Sequence, residues 1–209
     1  MKLNYRFGAM LILAASAMQV SLAATIDQAR DIFSQVSAAP IVHAQFEQRK
    51  QLSSLNKTYV SKGAVVFSKQ RGVLWQMHSP VQADLVVTPQ KVVQKTQRTF
   101  SQINVQQSPY GSVATLFLQL MAGDEKALAS NFNIVRVNQN QQNWDVTLTP
   151  KSSLFKQLFK QVDVKGARFV NQIVIQEKDN NLTQINFSQQ TSQSQNLTVQ
   201  ENALFQLAK

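Results

Sequence analysis

Two apolar periods run through this chain, one near two residues and one near 3.6, and their succession divides it into strands and helices. The first segment obeys neither period. Met1 to Arg6 carries Lys2 and Arg6, and the apolar run from Phe7 to Met18 has the length of a secretion-signal core, too short for a bilayer span. Ser21-Leu22-Ala23 offers the small residues that a signal peptidase reads, which places cleavage after Ala23, with Ala24 as the second choice. From Thr25 to Ala38, Ile26, Ala29, Ile32, Phe33 and Val36 form a helical stripe, with Thr25 and Gln28 spaced as a capping box and Pro40 as the stop. Ile41 to Lys50 then alternates. Val42, Ala44 and Phe46 share one face and His43, Gln45 and Glu47 the other, which predicts a first strand.

Thr58 to Gln97 is broken at Lys62-Gly63, Gln70-Arg71-Gly72, Ser79-Pro80 and Thr88-Pro89-Gln90-Lys91 into short runs rich in Val, Phe and Trp, the pattern of an antiparallel meander. Phe100 to Gln106 alternates and adds a strand. Ser112 to Ala122 switches to helical period, with Val113, Leu116, Phe117, Leu120 and Met121 on one side, Gly123 as the stop and Asp124 restarting a short helix. Strands return at Ile134 to Asn138 and Trp144 to Thr149, followed by a helical cluster of Leu154, Phe155, Leu158 and Phe159. Arg168 to Lys178 and Leu182 to Gln189 form a hairpin across Asp179-Asn180-Asn181, and Thr191 to Gln195 reads as loop. Turn signals roughly every ten residues, with no βαβ alternation, mark a sandwich or barrel. No repeat or linker divides the chain, so residues 24–209 form a single domain behind a signal at 1–23.

Composition sharpens this picture. The chain has no cysteine, so it carries no N-terminal Cys to acylate and no disulfide, and its stability rests on a packed core. No later run of ~18 apolar residues follows the signal, which predicts a soluble product. Lys and Arg number 21 against 11 acidic residues, and removal of the signal leaves a net charge of about +8. That surplus suits anionic lipid headgroups or an acidic partner face, or serves solubility alone, and export argues against nucleic acid. His43 and His78 are the only histidines, and HExxH, CxxC, DxDxDG, GxSxG, P-loop and GxGxxG motifs are all missing. The expectation is no metal, no cofactor and no catalysis, with a hydrolase built on His43 or His78 as the rival from another class.

Three stretches occur in a telling order: Ala44-Gln45-Phe46-Glu47-Gln48, then Ser61-Lys62-Gly63-Ala64-Val65-Val66-Phe67, then Gly72-Val73-Leu74-Trp75-Gln76-Met77 with Pro80. Together they resemble the outer-membrane lipoprotein carrier family known as LolA. Leu118 to Asp124 resembles the family's central helix, and Trp144 with Leu148-Thr149-Pro150-Lys151 resembles its strand ending in Thr-Pro-Lys, so the resemblance spans nearly all of the chain beyond the signal.

The resemblance implies a mainly β fold, an incomplete antiparallel barrel of about eleven strands with a helical lid over an apolar cavity. It also implies a periplasmic protein that takes lipoprotein or other acyl-lipid cargo from an inner-membrane ABC transporter complex to an outer-membrane receptor, and the removable signal as the one long apolar segment adds the expectation of a monomer. The residues expected to line the chamber are Phe46, Val65, Phe67, Val73, Trp75, Leu85 and Val87 from strands, and Leu116, Leu120 and Met121 from the lid. In the family an Arg-Pro pair before the Trp-bearing strand is thought to hold the lid closed. Lys69-Gln70-Arg71 stands at that place without the pair, which makes Lys69 and Arg71 the gate candidates and suits a divergent paralogue, a carrier, sensor or scaffold, that binds another lipid or a glycolipid.

Overall fold

In a computed structural model, residues 28–105, 109–194 and 196–208 are described, without the side chains of 109–114, 117 and 125. The expected signal, its cleavage point, the Thr25 cap and the side chains of Val113 and Phe117 lie outside the described residues.

Helix α1 covers residues 28–36 and turns Ala29, Ile32, Phe33 and Val36 inward, as its period requires. Six strands follow as a meander: β1 (Ile41–Leu52), β2 (Lys57–Ser68), β3 (Gly72–Ser79), β4 (Ala83–Val87), β5 (Lys91–Lys95) and β6 (Phe100–Asn104). Helices α2 (Pro109–Ala122) and α3 (Glu125–Asn131) then lead to β7 (Phe132–Gln139) and β8 (Trp144–Pro150). After α4 (Ser153–Leu158) come β9 (Phe159–Gly166), β10 (Val170–Glu177), β11 (Leu182–Thr191) and α5 (Val199–Gln206).

All eleven strands join one antiparallel sheet in the order β6-β5-β4-β3-β2-β1-β11-β10-β9-β8-β7. The chain winds outward from β1 to one edge, crosses through α2 and α3 to the opposite edge, and winds back until β11 closes on β1. The edges β6 and β7 do not pair, so the barrel is open. Because α2 and α3 connect the two edges, Leu116, Leu120, Met121 and Leu128 lie across the sheet's inner face in its main apolar cluster.

Alternation explains how both faces are covered. On the inner face, Val42, Ala44, Phe46, Val65, Phe67, Val73 and Val87 join that cluster. On the outer face, Ile41, Val66, Leu74, Val86 and Val93 form a second cluster, capped by Leu204, Phe205 and Ala208 around α5. Beyond β11 the outer face turns polar. Thr147 donates to Asp163 at 2.7 Å and Gln172 to Asn186 at 2.9 Å across strands, and Gln161 donates to Asp163 at 2.7 Å along β9, so this side carries a ladder of polar side chains.

Four readings of the sequence are corrected. Lys62-Gly63 is no turn but the middle of β2, where the pairing with β3 shifts register. A Cβ on Gly63 would lie 1.9 Å from the Gln76 carbonyl oxygen, so glycine is needed there for close backbone approach. Phe159 belongs to a strand, β9, that the helical cluster hides. The outer helix α5 was not anticipated, although Thr198 and Glu201 complete a reciprocal capping box at its start. Thr191 closes β11 instead of opening a loop. Elsewhere the turns fall as read, with Asn180 at φ +60° in the β10–β11 connection and Gly123 at φ +60° ending α2.

Candidate functional site

The curved inner face lines a half-open cavity of about 780 Å³. Residues from distant parts of the sheet meet there: Val73 and Trp75 of β3, Leu85 and Val87 of β4, Val92 of β5 and Ile103 of β6 on one side. Leu158, Phe159, Ile175 and Ile185 form the other side. Only a curved sheet brings β5 and β6 opposite β9 and β10 around one space. Its volume falls in the range of small-molecule sites, roughly 300–1,000 Å³.

Of the ten residues expected to line a chamber, the structure sets Val73, Trp75, Leu85 and Val87 on the cavity wall. Phe46, Val65, Phe67, Leu116, Leu120 and Met121 pack behind it in the same cluster, each 8% exposed or less. Trp75 links the two groups. Its ring lies 4.0 Å from that of Phe46 and 6.1 Å, edge-on, from Phe187, a wall of aromatic rings stiffened by favourable quadrupole geometry.

The wall also has a polar part that the sequence reading passed over. Lys50 and Thr183 are direct partners in the β1–β11 ladder and both border the cavity. Lys50 Nζ donates to Glu177 Oε1 at 2.9 Å and Oε2 at 3.2 Å, and Thr183 Oγ1 donates to Glu177 Oε1 at 2.9 Å. Gln48 precedes Lys50 on the same face, while Gln94 and Ser101, opposed across β5–β6, add hydroxyl and amide groups on the far side. The signal was parity: Gln48 and Lys50 continue the alternation that puts Phe46 inside.

The gate candidates divide. Lys69 Nζ donates to the Ser37 carbonyl at 3.2 Å, just past the end of α1, where a cation also meets the negative end of the helix. Gly123, at the end of α2, approaches the same corner so closely that a Cβ would lie 2.1 Å from the Phe33 carbonyl oxygen. Lys69 therefore ties the β2–β3 turn to the junction of two helices. Arg71 holds its Nη1 buried and without a hydrogen-bond partner.

The two histidines sit apart from the cavity wall. His43 Nε2 lies 3.0 Å from Glu201 Oε1 and joins β1 to α5 on the outer face, and His78 lies exposed near the end of β3. Also outside, Glu47 accepts from Lys62 at 2.8 Å and Arg49 at 2.7 Å, and these two cations, Lys62 first, hold its carboxyl below the usual carboxylate range. Among the described residues no group of three or more His, Asp or Glu side chains is placed to hold a metal ion, and no helix is long and apolar enough to cross a membrane.

An open antiparallel sheet wrapped round an apolar chamber, with helices laid across its inner face, defines the class of half-barrel binding proteins. The chain belongs to the outer membrane lipoprotein carrier protein LolA family, whose model matches residues 37–206. The family is one of periplasmic, non-enzymatic carriers. Among solved structures, a domain assigned to an outer membrane lipoprotein-sorting protein of Vibrio parahaemolyticus aligns over 88% of this chain and 99% of its own, with TM-score 0.51 and 8% identity, which supports the fold. A LolA superfamily protein of Nitrosomonas europaea aligns over 83% and 94%, with TM-score 0.47 and 8% identity. Lipoprotein LppX of Mycobacterium tuberculosis aligns over 84% and 99%, with TM-score 0.46 and 11% identity. No curated protein matches the chain significantly by sequence.

Proposed function

We propose that the protein is a periplasmic carrier, exported by a signal cleaved after Ala23, that shelters the acyl chains of a lipoprotein or a related lipid between the inner and outer membranes. The observation that carries this reading is the cavity of about 780 Å³ walled by Val73, Trp75, Leu85, Val87 and their neighbours. A chain of about fifteen methylenes gains on the order of 12 kcal/mol on leaving water, at ~0.8 kcal/mol per CH₂. Ordering the chain and displacing the packed lid take back part of this, which leaves the binding reversible. Capture and release then need no covalent step. Family membership supports lipoprotein cargo, an inner-membrane ABC transporter complex as donor and an outer-membrane receptor as acceptor.

A second reading, a paralogue dedicated to a different lipid or a glycolipid, is favoured by one observation: Lys69 and Arg71 stand where the family's Arg-Pro pair is expected. Native mass spectrometry of the protein taken from the periplasm, followed by lipid extraction, tests both readings. The carrier reading expects a monomer that begins at Ala24 and releases an acyl lipid on denaturation, and the extracted lipid separates lipoprotein from glycolipid cargo. A lipid-free product that also fails to take up a fluorescent acyl probe would overturn it.

A further inference from the structure

The ion pair between Lys50 and Glu177 is the charged part of a cavity wall that is otherwise apolar or uncharged, and it sets the electrical character of that part of the wall. We propose that this cavity selects acyl lipids whose head carries no net charge, such as ester-, amide- or hydroxyl-bearing heads, over lipids with an anionic head. The inference rests on the carrier reading and deepens it by naming the class of head that the site takes.

A lone lysine at such a wall would draw a carboxylate or phosphate out of water. Here Lys50 Nζ is within 2.9 and 3.2 Å of both oxygens of Glu177, so its charge is already neutralised. Thr183 donates to the same carboxylate and fixes it in place, and the register puts Thr183 directly opposite Lys50. An arriving anion meets the Glu177 charge as closely as the ammonium, and must break the pair to gain anything from Lys50. The side chains are 40% and 20% exposed, so the repulsion is only partly screened.

A neutral head leaves the pair intact and uses what is left over. An ammonium has three donors and a carboxylate about four acceptor sites, more than the three hydrogen bonds observed consume. Gln48, next on the same strand face, offers both a donor and an acceptor. Donors and acceptors side by side, without net charge, suit hydroxyl, ester and amide groups.

The test is displacement of a fluorescent acyl probe from delipidated protein by three ligands with the same palmitoyl chain: monopalmitoylglycerol, palmitate at a pH that keeps it ionised, and palmitoyl lysophosphatidylglycerol. The wild type is expected to prefer the neutral glyceride over both anions by roughly fivefold or more. Glu177→Gln leaves Lys50 cationic without its counter-ion and should shift the preference toward the anions by about tenfold. Lys50→Met, which leaves Glu177 uncompensated, should move the preference the opposite way. Binding of all three ligands with equal strength, or an unmoved preference in a folded Glu177→Gln protein, would sink the inference alone. Failure of the wild type to bind any of them would sink the carrier reading and the inference with it.

Discussion

Gly63 has no Cβ because none fits: the atom would sit 1.9 Å from the Gln76 carbonyl oxygen, and the obstacle is backbone, which cannot swing aside. Gly63→Ala should therefore force β2 and β3 apart at their register shift and cost about 1–3 kcal/mol, in the manner of an overpacked core. Urea unfolding monitored by circular dichroism measures it, and an unchanged midpoint would show that the strands yield freely. The same residue shows why single positions mislead a reading of sequence. Glycine in an apolar run signals either a turn or a close approach, and only the partner strand tells which. The polar cavity wall was hidden for a related reason. Lys50 and Glu177 look like ordinary solvated charges until the β1–β11–β10 pairing brings them together.

Elements were legible where one period persisted. The inner-face alternation of β1 and the stripe of α1 both stand in the sequence, and the structure places Phe46 and Phe33 as those patterns require. In β9, Val162 and Val164 alternate with Gln161, Asp163 and Lys165, but the adjoining Leu154, Phe155 and Leu158 draw Phe159 into an apparent helix. For α5 the reason is geometric. Its buried residues Leu204 and Phe205 make too narrow a patch for a stripe, and Val199 is 89% exposed.

At this scale the Lys69 contact makes its own prediction. If the bond to the Ser37 carbonyl helps hold the helices over the cavity, Lys69→Leu should release a bound acyl probe to lipid vesicles roughly threefold faster, the worth of one exposed charge-assisted bond. Lys69→Arg should slow release, because a guanidinium offers more donors to the same corner. Equal rates in wild type, Lys69→Leu and Lys69→Arg would leave the helices ungated by this residue.

The whole molecule is built unevenly. Alternation identifies the inner face but not the void within it, since the void depends on where α1, α2 and α4 come to rest, and so the sequence could not separate Trp75 on the wall from Val65 behind it. From β1 to β5 the sheet is apolar on its inner face and carries an outer apolar patch of Ile41, Val66, Leu74, Val86 and Val93, clamped there by α5, whereas the half from β8 to β11 is backed on its outer side by a polar ladder. Two walls held so differently do not share a load. On the carrier reading, cargo that fills the chamber is expected to move the bare wall before the clamped one, so the weaker side would set its capacity. Hydrogen exchange should therefore find the amides of β2 to β4 slower than those of β8 to β10, and Phe205→Ala, which loosens the clamp, should narrow the difference. Equal protection of the two walls in the intact protein would mean that the shell deforms as one piece.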